Sequence, residues 1–327
     1  MKRVPLGRNG YDNMTEALEH WLGHFSPQAQ VAIIAAIVGL VTGSVGPVIK
    51  HWLDRWSLRH RLSTEHEYAE RKKLRSLIGH SHGRVLEAAE SLNHRLWNLQ
   101  ENEGEGWLKL DGQYEKAADS YYFRTTIHRM IVLLSYLKRF QEKAVFIDAR
   151  IAEKGDLLFL KYAKALEWAL TDVSLFNGLG YDANYPTDHL FKGHLRVACE
   201  VCADRDLPAS LGAFEDRLRE DSFRRRLSPL YAFFDGLAAD GRPRWDRLVA
   251  FHLLLCSFIN AFGYPMQRTS TRQLSQLAAS IHHVEVPQNL MQWLRKLGIG
   301  EGKEGKNLRH VLEGSLKTRG KIAADVA

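Results

Sequence analysis

The sequence predicts an all-α protein with an N-terminal transmembrane helix, a basic helical stalk and a multi-helix cytoplasmic domain. Three observations support this fold class. Thirty consecutive residues, His20 to Ile49, contain no Asp, Glu, Lys or Arg. Apolar residues then recur at helical spacing through most of the remaining chain. Nine prolines and 25 glycines in 327 residues are too few for a fold built from many tight turns.

Composition and charge exclude several classes of protein. Apolar residues make up 45% of the chain and charged residues 25%, which excludes wholesale disorder and collagen-like repeats. The net charge of +7 suits anionic partners, either phospholipid head groups or nucleic acid. Three cysteines cannot hold a secreted domain together, and the odd number favours reduced thiols in a cytosol-facing protein.

The predicted transmembrane helix covers Val31–Ile49. At about 1.5 Å per residue it is roughly 28 Å long, the thickness of a hydrocarbon core. Trp21 and Phe25 precede it and Trp52 and Trp56 follow it, as in an interfacial aromatic belt. Basic residues follow the helix closely but are missing from the twenty residues before it. The positive-inside bias therefore predicts a single-pass protein of the inner (cytoplasmic) membrane with its C-terminal domain in the cytoplasm. A buried core helix is the alternative.

Small residues line one side of this predicted helix. They are Ala35, Gly39, Thr42, Gly43 and Gly46. In lipid, small side chains let helix backbones approach closely, and this contact replaces the missing hydrophobic driving force. We therefore expect a homo-oligomer that forms through this face, which would also be the pore face. The general abundance of glycine in spanning helices is the alternative explanation.

The rest of the chain divides by composition. Residues 1–30 are expected to form an N-terminal segment with a short amphipathic helix. Residues 50–106 form the basic stalk, although a basic helix lying on anionic lipid explains the same pattern. Residues 107–298 form the cytoplasmic helical domain, and residues 299–327 form a flexible tail rich in glycine and lysine.

Helical periodicity predicts the elements of the cytoplasmic domain. The predicted helices cover residues 114–154, 156–176, 188–202, 210–227, 229–239, 244–262, 271–282 and 287–297, with one more near 308–316 in the tail. Residues Leu248–Met266 are also uncharged over nineteen positions. His252, Ser257 and Asn260 would be costly in lipid, so a buried core helix is favoured there over a second membrane span.

Two clusters of arginine and aromatic residues are candidate ligand-binding sites. The first lies beside the membrane and consists of Trp52, Arg55, Trp56, Arg59 and Arg61. The second consists of Arg224, Arg225 and Arg226. Arginine beside aromatic rings holds the phosphates and bases of a single strand. The favoured alternatives are interfacial anchoring for the first cluster and a solvated helix face, balanced by nearby acidic residues, for the second.

One pair of residues has metal-like spacing. Cys199 and Cys202 lie on one face of a predicted helix, with His194 upstream. Structural zinc sites need a second ligand pair, so core-facing cysteines are favoured over a zinc site or a redox pair. The stretch Gly300–Asn307 is similar to a phosphate-binding loop, but Asn307 replaces the Ser/Thr that holds magnesium. A mobile linker is therefore expected there.

The remaining candidates for catalysis are isolated. His282–His283 and Asp188–His189 have no recognisable nucleophile or base network around them in the sequence. The sequence also has no HExxH motif, nucleophile elbow or kinase signature. It therefore predicts a protein that is not an enzyme and that has no cofactor and no metal.

The span Val31–Ile49, the basic stretch Lys50–Arg75 and the helical remainder together resemble bacterial membrane effectors of anti-phage defence, in particular the channel-type effectors of Hailong systems. The resemblance implies a homo-oligomeric, tetrameric, ion-conducting effector of abortive infection. It also implies a partner nucleotidyltransferase whose short single-stranded oligonucleotide restrains the channel by contacting an N-terminal helix.

Two other functions are consistent with the sequence. The first alternative is a membrane-tethered scaffold that binds nucleic acid or protein and has no channel activity. The second is a membrane-bound helical hydrolase with a metal near Cys199, Cys202 and His194.

Overall fold

A computed structural model describes residues 20, 21, 23–144, 154–184, 186–204 and 207–326. Helices dominate these residues, so the all-α prediction is confirmed. The α-helices are α1 (Pro27–Glu101), α2 (Tyr121–Ala144), α3 (Lys154–Thr171), α4 (Lys192–Val201), α5 (Leu211–Arg217), α6 (Asp221–Phe234), α7 (Pro243–Phe262), α8 (Thr271–Ala279), α9 (Glu285–Lys296) and α10 (Lys303–Val326).

Short elements connect the helices. Single 3-10 turns cover Glu103–Glu105, Tyr114–Ala118, Val173–Phe176 and Pro265–Gln267. Two strands of two residues each, β1 (Ala203–Asp204) and β2 (Leu207–Pro208), pair in antiparallel orientation, with Ala203 opposite Pro208. They lie between α4 and α5 and support no larger sheet within the described chain.

The chain divides into two compact units, Met1–Tyr68 and Ala69–Ala327. The boundary falls inside α1. In the first unit, none of the side chains that the structure describes from residue 20 onward is buried. Large apolar side chains such as Val31, Ile34 and Leu40 are exposed instead. The described part of this unit therefore has no hydrophobic core of its own.

Helix α7 forms the centre of the second unit. Every residue from Arg244 to Asn260 is buried, and α3, α8, α9 and α10 pack against the helix. A helix that is apolar on all sides is stable in water only when it is enclosed in this way. Among the described residues it is the one helix long and apolar enough to cross a membrane, but its apolar window is 89% buried. The preference for a core helix over a second span is confirmed.

The predicted transmembrane helix is described only in part. Its residues are helical, and Pro27–Leu40 is an apolar stretch shorter than a membrane span. The side chains of Val41 and of residues 44–49 lie outside the described part of the chain. The membrane span therefore stays a prediction. Residues 1–19, which contain most of the predicted N-terminal segment, are also outside the described residues.

The basic stalk does not form a separate segment over its whole predicted length. Helix α1 continues without interruption past Gly79 and Gly83. One face of its second half, including Leu74, Leu86 and Leu92, is buried in the core of the second unit. Glycine in a helix costs roughly 1 kcal/mol, and burial of this apolar face outweighs that cost. Helix α1 ends at Glu101, and the polar stretch Glu101–Gly106 follows it.

The prediction of a flexible tail over residues 299–327 is wrong for the part that the structure describes, residues 299–326. Helix α10 occupies most of it, and Leu308, Val311 and Leu312 are buried. The phosphate-loop-like stretch is not a mobile linker either, because it forms the tight entry into this helix. The backbone at Gly305 lies against the carbonyl group of Ile299, too close for any side chain.

The predicted break at Pro229 is also wrong. Pro229 lies inside α6, and the chain breaks instead between Arg217 and Asp221. Proline cannot donate to the carbonyl oxygen four residues earlier, which belongs to Arg225. The hydroxyl group of Ser228 donates to that oxygen at 2.9 Å and replaces the missing hydrogen bond. The helix therefore continues through the proline.

Candidate functional sites

The predicted oligomer face is open in the described part of the first unit. Ala35 is exposed, and a Cβ atom added at Gly39 or at Gly43 would meet no atom within 4 Å. The hydroxyl group of Thr42 donates to the carbonyl oxygen of Val38 at 2.6 Å, inside the same helix. Gly46 also lies in α1, but its exposure is outside the described part of the structure.

The first predicted ligand cluster is exposed but not continuous. An α-helix turns by about 100° per residue, so Trp52, Arg55, Trp56 and Arg59 share one side of α1. Arg61 comes nine residues after Trp52 and therefore lies about half a turn round the helix from it. All five side chains are exposed. Four of them can contact one surface together, and Arg61 cannot.

The second predicted ligand cluster is divided by its own hydrogen bonds. The guanidinium group of Arg224 donates to the carbonyl oxygen of Leu218 at 2.6 Å and forms an ion pair with Asp221. It therefore closes the turn before α6 and is not the free cation that the prediction requires. Arg225 and Arg226 are exposed.

The cysteine pair is buried in the core. Cys199 and Cys202 are free thiols with little exposure. Burial raises the pKa of the Cys199 thiol, and burial and then Cys199 raise the pKa of Cys202 to about 12. The thiolate is the form that binds metals and reacts, so these thiols are poor ligands and poor nucleophiles. Among the described residues, no three His, Cys, Asp or Glu side chains gather in a way that could hold a metal ion.

The two histidine pairs have structural partners. Asp246 is fully buried, and its carboxylate accepts hydrogen bonds from the backbone N–H groups of His282 and His283 and from Nδ1 of His283 at 2.7 Å. Asp188 accepts from Arg242 at 3.0 Å. Each carboxylate holds a loop beside α7.

A recess in the second unit brings together residues that the sequence does not place together. We call it the Arg95 recess. It has a volume of about 410 Å³ and lies between α1, the start of α2 and the loop after α1. Its lining residues are His94, Arg95, Asn98, Trp107, Tyr121, Tyr122 and Arg129. None of them is acidic.

Aromatic rings form one wall of the Arg95 recess. The ring centroids of Trp107 and Tyr122 are 4.6 Å apart, and the hydroxyl group of Tyr122 donates to Oδ1 of Asn98 at 2.7 Å. Trp107 is 38% exposed and Tyr121 is 59% exposed. Gly106, with φ of 64°, adopts the left-handed conformation that turns the chain just before Trp107. Apolar ring surface is therefore held open to solvent at this wall.

Two arginines also line the Arg95 recess. Arg95 is only 7% exposed, its Cζ atom lies 3.9 Å from the ring centroid of Tyr122, and its Nη2 atom donates to Oγ1 of Thr125 at 3.0 Å. Its buried Nε atom has no hydrogen-bond partner. Arg129 donates to the carbonyl oxygen of Ser91 at 3.2 Å.

The charge of these arginines is not neutralised by a carboxylate within the described chain. Burial and then the charge of Arg95 lower the pKa of Arg129, as expected for two cations that lie close together. Arg124, by contrast, is paired with Glu215 at 2.7 Å. The recess thus combines two unneutralised cations with exposed aromatic rings, which suits a planar anion.

Sequence patterns did not indicate this site. Arg95 and Arg129 are separated by 34 positions (129 − 95), and Trp107 directly follows the polar stretch Glu101–Gly106. The aromatic pair Tyr121–Tyr122 before Arg124 is the one local signal in the sequence. Comparison of the chain with protein-family models, curated proteins and solved structures gives no match.

Proposed function

We propose that this chain is a membrane-anchored, self-associating protein whose assembled helices conduct ions, as an effector of bacterial anti-phage defence. The observation that supports the anchor is the first unit, where apolar side chains such as Ile34, Val38 and Leu40 are exposed and no described residue forms a core. Exposed apolar surface of this kind is unfavourable in water and favourable in lipid.

Self-association is supported by the open face of α1. One helix cannot enclose a water-filled path, so ion conduction requires several copies. Gly39 and Gly43 have free space around them that a second helix can occupy. Ion conduction and a role in defence are supported by the resemblance in the sequence.

Membrane fractionation of the full chain tests the anchor. We expect the protein to stay in the membrane pellet after alkaline carbonate treatment and to be released by detergent. The double substitution Ile34→Glu/Val38→Glu should release it, because both positions lie inside the predicted span and a charge near its centre, as at Val38, costs about 2.5–3.5 kcal/mol. Ile34→Leu/Val38→Leu is the matched control and should behave as the wild type. Wild-type protein in the carbonate supernatant would contradict the anchor.

The open face is tested by substitution of its glycines. Gly39→Leu fills the space that a partner helix needs, so the chain should shift to smaller species in detergent cross-linking. Ile37→Leu adds no bulk on that face, since Ile37 lies about 200° from Gly39 around the helix. It should leave the oligomer unchanged. Equal cross-linking of both variants and the wild type would rule out packing through this face.

A membrane-tethered binding protein without channel activity is the second candidate. The Arg95 recess favours it, because a tethered binding protein needs a site for a ligand and ion conduction by itself does not. Ion flux through liposomes that contain the purified full chain separates the two candidates. A flux that Gly39→Leu reduces supports the channel, whereas no flux at any protein-to-lipid ratio supports the tethered binding protein.

A further inference from the structure

We infer that the Arg95 recess is a binding site for a nucleoside phosphate, with the base on Trp107 and Tyr121 and the phosphate at Arg95 and Arg129. The inference rests on the proposed function in one respect, which is that the bound nucleoside phosphate regulates the membrane protein. The binding itself does not depend on the membrane and is tested separately.

The cations indicate the phosphate. A buried arginine is normally paired, because an uncompensated buried charge is costly. Arg95 is 7% exposed, lies next to Arg129, and forms no ion pair with a carboxylate in the described chain. Its Nε atom is buried without a partner. A phosphate group supplies the negative charge that this pair of cations lacks.

The aromatic wall indicates the base. Trp107 and Tyr121 expose ring surface beside the cations, at 38% and 59% exposure. A lipid head group or a free phosphate would use the arginines and leave these rings in water. A nucleobase covers them by stacking, and the volume of about 410 Å³ lies within the usual range for small-ligand sites.

A second cavity extends the site. It has a volume of about 190 Å³, shares Arg129 with the Arg95 recess, and is lined by Arg84, His128 and one acidic residue, Glu87. A single strand whose terminal nucleotide occupies the recess can continue past Arg129 towards Arg84. The ligand is therefore either a free nucleotide or the end of a short single strand, and the two share the same chemistry at the recess.

Calorimetric titration of the full chain in detergent micelles tests the inference. The probes are ATP, adenosine, pyrophosphate and a single-stranded DNA tetranucleotide of mixed sequence. We expect ATP or the tetranucleotide to bind at least tenfold more tightly than adenosine and pyrophosphate, because each of these two lacks one half of the contacts. The tighter of the first two probes shows whether the free nucleotide or the strand is the ligand.

Substitutions locate the binding. Trp107→Ala and Tyr121→Ala should each weaken it about 5- to 150-fold, the usual effect of losing one stacked ring. Tyr264→Ala is the matched control, since Tyr264 is 62% exposed and lies outside the recess. Arg129→Gln should weaken binding of the tetranucleotide and reduce its dependence on salt by about one charge. Arg226→Gln, an exposed arginine elsewhere, should change neither.

Three results would overturn the inference. They are no binding of either ATP or the tetranucleotide at millimolar concentration, equal binding by the recess variants and the wild type, and adenosine or pyrophosphate binding as tightly as the tighter of ATP and the tetranucleotide. Failure of the membrane proposal gives a different result. In that case the chain purifies without detergent, and the same titration in buffer still shows binding that depends on Trp107.

Discussion

His252 is a histidine that the fold keeps neutral. It is enclosed in the core of the second unit, where Nε2 donates to Oδ1 of Asn93 at 2.9 Å and the ring lies 4.8 Å from that of Trp97. Cys256 donates to the same oxygen atom at 3.2 Å. Burial lowers the pKa of His252 from 6.5 to about 3. The cluster joins α1 to α7 with polar groups that satisfy one another.

The stability of the protein should decrease on acidification because of His252. The unfolded chain binds a proton at this residue below pH 6.5, whereas the folded chain binds one only near pH 3. The contribution is therefore complete above pH 6.5 and is lost as the pH falls towards 3, by about 1.4 kcal/mol per pH unit. Urea unfolding of the purified chain at pH 7.0, 6.0 and 5.0 measures this slope.

His252→Gln can keep the hydrogen bond to Asn93 and removes the titrating group. The pH slope should become shallower in this variant, even if its stability at pH 7.0 is lower. His310→Gln, at an exposed position, should keep the wild-type slope. An unchanged slope in His252→Gln would show that other groups cause the acid sensitivity.

Asp246 stabilises the loop before α9. Its two oxygens accept from the backbone N–H groups of His282 and His283 at 2.7 and 2.8 Å. Asp246→Asn replaces one acceptor oxygen with an amide NH2 group, which leaves at least one of the N–H groups of His282 and His283 without its acceptor and should cost about 1–3 kcal/mol. We expect the melting temperature of the second unit to fall by several degrees. Asp240→Asn, at an exposed position, should change it by less than 1 °C.

At the scale of elements, α10 shows where composition is misleading. The run Gly300–Asn307 is typical of a linker, because glycine is unfavourable inside helices. In the structure Gly305 is present because its backbone packs against Ile299. The apolar residues that follow, Leu308, Val311 and Leu312, have the i, i+3, i+4 spacing of a buried helix face and were the better guide.

Two glycines of α10 should respond in opposite directions to alanine. Gly305→Ala forces a Cβ atom against the carbonyl group of Ile299, so it should destabilise the second unit by about 1–3 kcal/mol. Gly314 has open space around it, and Gly314→Ala should stabilise the helix by about 0.5–1 kcal/mol. Thermal unfolding of both variants beside the wild type measures the difference. A stable Gly305→Ala variant would contradict the close approach.

At the scale of the whole molecule, the sequence predicts the fold class and the central helix but not the candidate site. Periodicity and charge identify α7 as a core helix, because both signals are local. The continuity of α6 through Pro229 depends on a single side-chain hydrogen bond, that of Ser228, which composition does not reveal. The Arg95 recess depends on packing between α1 and α2, and residues 34 positions apart (129 − 95) share no pattern in the sequence.

The enclosure of α7 by α3, α8, α9 and α10 has a consequence for topology mapping. A count of hydrophobic segments assigns two crossings to this chain and places its two ends on the same side of the bilayer. Because α7 is part of the core, compartment reporters fused after Asp240 and after Val326 must give the same signal, both fluorescent or both dark. We therefore expect the polypeptide between these two points to stay on one side of a membrane.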